Sequence, residues 1–181
     1  LGWDLSHASF QALTRRCAQL DLPIQIVVDS PADLMAAADA ADGSDIPVMI
    51  RWSKRGGYNN LPNIIAVARD CPNFLFDVAT ITQTGGIERL VERIGADRMF
   101  VASNMPMAYE HCGYFLLQAA ALSTEDQRLI GGGNLARLFG IPEPAAAPKP
   151  ISWAKFRDWP KTDTHWHTSG WNIVEPRTAI E

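Results

Sequence analysis

Positive charge is in short supply in this 181-residue sequence: 16 lysines and arginines stand against 20 aspartates and glutamates, a formal net charge of −4. Such a chain offers no basic face to a phosphate backbone, so nucleic acid is not an expected partner. No apolar run approaches the roughly 20 residues that a membrane-spanning helix needs, and no membrane partner is expected either. Cysteines are few, Cys17, Cys71 and Cys112. An odd, widely spaced set lying on or beside apolar helical patterns reads as reduced thiols and not as a disulfide framework, which favours the cytoplasm. The chain opens at Leu1 without an initiator Met and stops at Glu181 inside the start of a helical pattern, so a fragment is expected, with any N-terminal address missing. Phosphate-binding glycine loops are absent too. Neither GxGxxG nor GxxxxGK[ST] follows any apolar run, and "GGGN", Gly131 to Asn134, lies between two helical patterns.

What is present is a hydrophobic content of 47%, enough for a core, arranged as a repeating alternation of helical patterns and short apolar runs. Phe10, Leu13, Cys17 and Leu20 share one helical face by their spacing, which predicts a first helix. "PIQIVV", Pro23 to Val28, is short, β-branched and bounded by turn residues, and predicts a strand buried on both faces. Ser30, Pro31 and Asp33 then carry the signature of a helix start: a capping hydroxyl, a proline at the first position and an acid near the positive end of the dipole. The cycle repeats through strands at Ile46 to Trp52, Asn73 to Val78 and Arg98 to Ser103, with helices between them. A further helix is predicted around Tyr114 to Leu122. Strand starts fall roughly 25 residues apart, the pace of a parallel α/β sheet, either a (β/α)8 barrel or an open doubly wound sheet. Thr124 to Phe139 predicts a helical ending capped by Ser123, with Asp126 three residues on.

Beyond Gly140 the composition changes. "IPEPAAAPKPISW", Ile141 to Trp153, combines four prolines with a run of alanines and cannot hold a regular helix, so residues 142–161 are read as a linker. Within 162–181, "DTHWHTSG" puts Asp163, His165 and His167 at alternate positions. In an extended strand these three side chains share one face, and two neutral imidazoles there are plausible ligands for Zn²⁺ or a similar ion. Three other groups stand out less. "SKRGGYNN", Ser53 to Asn60, sets Lys54 and Arg55 in a loop after a strand, where an anion such as a carboxylate would bind, or where the loop is simply solvated. His7 and His111 stand singly and read as surface or packed residues.

Two of these stretches resemble one family, the amidohydrolase superfamily of metal-dependent hydrolases, in its amidohydrolase-related branch of lactonases and decarboxylases. "IGADRMFVASNMPMAYEH…LSTEDQRLIGGGNLARLFGI", Ile94 to Ile141, resembles the family's eighth barrel strand with its "GADR" lead-in, its Ser-Asp-x-Pro end and its closing Asn-x-x-Arg helices. Asp163, His165 and His167 match the Asp-x-His-x-His of the family's first strand. The resemblance implies that residues 1–141 are the C-terminal half of a TIM barrel, an α/β fold, and that 162–181 begin a second barrel. It also implies a divalent metal, Zn with Mn or Fe as alternatives, held by His165 and His167. The first half departs from the family pattern at its metal positions. Val27 and Val28 stand where a strand-five histidine is usual, Arg51 and Trp52 end strand six, and Asn104 occupies the place of the strand-eight aspartate. An amide neither titrates near neutral pH nor ligates a divalent cation well, so Asn104 is expected to be non-catalytic.

The expectation is therefore a hydrolase or decarboxylase of a small-molecule substrate. Its activity belongs to the barrel that starts at His165, and this fragment alone is inactive. The alternatives are a non-catalytic barrel acting as a binding or scaffold module, and a single permuted barrel. Four strands of a half-barrel would leave two unpaired edges and an uncovered apolar face, which favours association into homo-oligomers or aggregates.

Overall fold

In the computed structural model the described residues are 4–53, 60–103 and 112–142. The chain divides into two compact units, Leu1–Glu143 and Pro144–Glu181, and every described residue lies in the first.

Four strands form one parallel sheet in sequence order: β1 (Ile24–Val28), β2 (Val48–Trp52), β3 (Phe74–Asp77) and β4 (Met99–Phe100). Helices connect them: α1 (Ala8–Gln19) leads in, and α2 (Pro31–Ala40), α3 (Leu61–Asp70) and α4 (Gly86–Ile94) make the crossovers. After β4 come α5 (Cys112–Ala119), α6 (Thr124–Arg128) and α7 (Asn134–Leu138), the last two joined by a wide turn at Leu129–Gly133. This is the alternation the sequence predicts, with each strand a residue or more shorter at its ends.

The helix boundaries follow from local chemistry. Ser30 Oγ accepts from the Asp33 amide at 3.2 Å while Asp33 Oδ2 accepts from the Ser30 amide at 3.0 Å, a reciprocal capping box. Ser123 Oγ accepts from the Asp126 amide at 3.1 Å and starts α6 as expected. His7 is the N-cap of α1, its Nδ1 accepting from Ser9 N at 3.1 Å, so it has a structural use at the head of a helix. Gly95, at φ +88°, ends α4 in a conformation that side chains resist.

Side chains alternate across the sheet. One face presents Ile24, Ile26, Val28, Val48, Ile50, Trp52, Phe74 and Phe76 to the helices, where Leu34, Ile64, Leu90 and others complete a buried cluster. Full burial of side chains this size stabilises by about 1.5–3 kcal/mol each. The other face carries Gln25 and Val27 on β1, Met49 and Arg51 on β2, Leu75 and Asp77 on β3, and Phe100 on β4. Its exposure falls across the sheet, from Val27 at 51% to Asp77 at 1% and Phe100 at 3%. Two expectations are corrected here. Strand β1 is buried on one face only, because no described element covers Gln25 and Val27. Helix α1 buries Phe10 and Thr14, whereas Leu13 and Leu20 are exposed: its inward face is set by contact with α2, not by the richest apolar stripe.

A third correction concerns the edges. The strand order leaves β1 terminal, but the outer side of β4 is occupied. Val101 N donates to Ile130 O at 3.2 Å, and Asn134 Nδ2 donates to Met99 O at 2.7 Å and to Ala96 O at 2.8 Å. The turn and helix after α6 thus take the hydrogen bonds a further strand would have used, and among the described residues one edge is open, not two.

The N-terminal ends of the strands are stitched by side chains that reach backbone carbonyls. Asn73 Nδ2 donates to Ser44 O and Ile46 O, ahead of β2. Arg98 Nε donates to Phe74 O at 2.7 Å and its Nη2 to Cys71 O at 2.6 Å, ahead of β3. Asn134 does the same ahead of β4. The Arg of "GADR" and the Asn of the closing helices are therefore structural ties. Burial lowers the Arg98 guanidinium from its usual value, and these carbonyls are what it receives in place of water.

Candidate functional site at the strand C-termini

A parallel sheet collects its chemistry where the strands end, because the loops there converge while the opposite end is tied for stability. A cavity of about 460 Å³ lies at the wrong end for this. It is lined by Asp42, Asp45, Asp70 and Cys71 below β2 and β3. Burial raises the Cys71 thiol above its ordinary value, so it is a poor nucleophile. Cys17 and Cys71 are both free and half-buried.

At the other end, β3 closes on Asp77 and β2 on Arg51 and Trp52. Asp77 is buried, and its Oδ1 accepts from Ala79 N at 2.9 Å and Ala102 N at 3.1 Å, tying the end of β3 to the segment after β4. Its Oδ2 is buried with no hydrogen-bond partner. Burial pushes the carboxyl up to about 6; the two amides and the positive charge of Arg51 pull the other way without cancelling it. The register pairs Ile50 with Phe76, so Arg51 and Asp77, one residue on, lie level on neighbouring strands and on the same face. They form no ion pair, and Arg51 Nε is buried without a partner. Ser53 Oγ and Thr80 Oγ1, just past the same two strands, are likewise unpartnered. Close packing holds this end together. A Cβ on Gly113 of α5 would come within 2.7 Å of both Ala79 and Val101, so only glycine lets the helix lie this near to the strand ends.

Lys54, Arg55, Asn104, His111, His165 and His167 all lie outside the described residues. Among the described residues no group of three His, Cys, Asp or Glu side chains could hold a metal. The strand ends offer Val27 and Val28, then Arg51, then a single carboxylate, Asp77, held by amides. That donor set does not fit a divalent ion, which prefers several anionic or imidazole ligands. Sequence reasoning passed over Asp77. The available signal was an acid closing an otherwise apolar strand in "NFLFD", opposite an arginine at the matching place in "VMIRW".

An α/β parallel sheet with polar chemistry gathered at its strand C-termini places the chain among barrel-type α/β proteins. The amidohydrolase family profile matches residues 1–141. The chain belongs to the amidohydrolase family. Among solved structures it is similar to an uncharacterised TIM-barrel protein from Bordetella bronchiseptica, with 18% sequence identity and a TM-score of 0.61 over 77% of this chain and 53% of that one. The chain thus spans about half the length of that barrel. No curated protein matches it significantly. Among the described residues, no helix is long and apolar enough to cross a membrane.

Proposed function

We propose that this chain is part of a cytoplasmic, metal-dependent amidohydrolase in which residues 1–141 form the C-terminal half of one barrel and the Asp163, His165, His167 motif opens a second, active one. The observation that carries the reading is the family match over 1–141 followed by two histidines at strand spacing. His165 and His167 would hold the metal, Zn by the preference of imidazole, with Mn or Fe as alternatives. Such an ion, when bound, supplies an activated water or a polarised carbonyl for hydrolysis or decarboxylation. The first half holds none of that machinery among its described residues. Its contribution is a rigid parallel sheet and the polar group around Arg51 and Asp77, suited to binding a small-molecule substrate.

A second reading, a non-catalytic barrel used for binding or as a scaffold, is favoured by the same lack of a metal-holding group among the described residues and by Asn104 in the aspartate position. Metal analysis of the full-length protein separates the two. The enzyme reading expects about one divalent ion per chain, lost when His165 and His167 are both replaced by alanine. A full-length protein purified without chelators that carries no stoichiometric ion supports the scaffold.

A further inference from the structure

The polar atoms at the ends of β2 and β3 are sealed in. Arg51 Nε, Ser53 Oγ, Asp77 Oδ2 and Thr80 Oγ1 are buried without hydrogen-bond partners, and the cavities of about 460 Å³ and 220 Å³ are lined by other residues. Buried groups of this kind are normally satisfied, by protein or by water. A clip lies among them. Asp77 Oδ1 accepts from the amide of Ala79, just after β3, and from the amide of Ala102, just after β4, so one carboxyl oxygen holds two segments that are remote in sequence. Helix α5 rests on the same two segments. A Cβ on Gly113 would run into the side chains of Ala79 and Val101 and come within 3.2 Å of Ala102 O. The seat of α5 and the clip made by Asp77 therefore share their contacts.

One proton decides how well this closed arrangement suits its carboxyl. Oδ2 has no donor to share a negative charge with, so the closed form favours the neutral acid, and burial accordingly pushes the group up to about 6. Of the charged and titratable groups on described residues, Arg51 on β2 is the one whose charge acts on it. Phe100, its neighbour on β4, and Ala79, Thr80, Ala102 and Gly113 around it bring no charge. An ionised carboxylate here gains by letting water reach Oδ2, and water enters when the segments after β3 and β4 part. We propose that Asp77 is a proton-operated latch: protonated, it keeps the segments at Ala79 and Ala102 and the start of α5 closed over the strand ends; ionised, it lets them part and opens Arg51, Ser53 and Thr80 to solvent. The chemical change is a single proton passed to water. The latch goes beyond the proposed function and serves an enzyme or a scaffold alike, since no metal enters.

Amide hydrogen exchange of the ¹⁵N-labelled 181-residue chain tests this, read at Ala79 and Ala102 from pH 5 to 7.5 and corrected for the intrinsic rate at each pH. Both amides are expected to lose protection together, by about tenfold across that range. Their exchange should respond weakly to low urea, the mark of a local opening. Val48, whose amide donates to Asn73 O at the other end of the sheet, should instead follow the urea dependence of global unfolding. Asp77→Asn keeps an oxygen for both amides and should hold their protection constant with pH. Protection that ignores pH, that rises with pH as Arg51 turns to pair with the ionised carboxylate, or that changes at one amide alone overturns the proposal. So does a urea dependence at Ala79 and Ala102 equal to that at Val48, or an Asp77→Asn chain that keeps the parent's pH response. The readings on the unmodified chain stand even if the variant fails to fold. They leave the metal analysis of His165 and His167 untouched, so the two proposals fail separately.

Discussion

Asn134→Leu is expected to destabilise the chain by about 4 kcal/mol, read as a shift of the denaturant midpoint with the slope unchanged. Asn134 is fully buried, and its single amide nitrogen serves Ala96 O at 2.8 Å and Met99 O at 2.7 Å, while its oxygen accepts from Arg137 at 3.1 Å. Leucine has the same branched side-chain skeleton, so no cavity is made, and its bulkier methyls add crowding to the lost polar interactions. Two backbone carbonyls would be stranded without solvent, each at about 1–3 kcal/mol. Asn134→Asp would be nearly as damaging, since a carboxylate facing two carbonyls repels them and cannot donate. A change below about 1 kcal/mol for the leucine variant would mean that water reaches this edge of β4 and the stitch is dispensable.

The second large effect has the opposite sign. Asp77→Asn should stabilise the chain by about 2 kcal/mol at pH 7.5 and by little at pH 4. The folded carboxyl takes up its proton near pH 6, the unfolded one near the ordinary 3.8. Between those values the folded state holds the extra proton, so its stability is greatest below about pH 4, declines as pH rises through 6, and stays low above it. A displacement of roughly two pH units corresponds to about 3 kcal/mol. Asparagine avoids the buried charge, keeps the two amide hydrogen bonds through its oxygen, and gives back about 1 kcal/mol for an unpartnered NH₂. Urea midpoints of parent and variant at pH 4 and 7.5 check this: the parent should lose stability with rising pH where the variant stays flat. Equal responses would show that Asp77 is already compensated in the folded chain.

The sequence carried the architecture further than the site. Strand runs such as "NFLFD" and the Ser30–Asp33 cap are local signals, fixed by residues within a turn of one another, and they appear where spacing puts them. The inward face of α1 departs from the Leu13 and Leu20 stripe because its burial is decided by a neighbouring helix, α2, which local spacing does not reveal. The two-faced burial expected of β1 failed for the same reason: it depends on a neighbour, not on the strand. Arg98 and Asn134 could be quoted as parts of a motif, but their use as ties depends on carbonyls up to 38 residues away. Asp77 and Arg51 are the plainest case. Nothing local marks them, and only the register of two strands that start about 26 residues apart makes them neighbours.

The covered outer side of β4 has a bearing on how copies of this sheet can meet. With one side sealed by Ile130 and Asn134 and the other ending at β1, the sheet has a single adhesive margin among its described residues. Two sticky margins would allow head-to-tail growth without limit. One permits only a self-complementary contact, β1 against β1 about a twofold axis, and that contact consumes the margin on both copies. Were copies of this sheet to associate through backbone pairing of the described strands alone, that pairing would end at two.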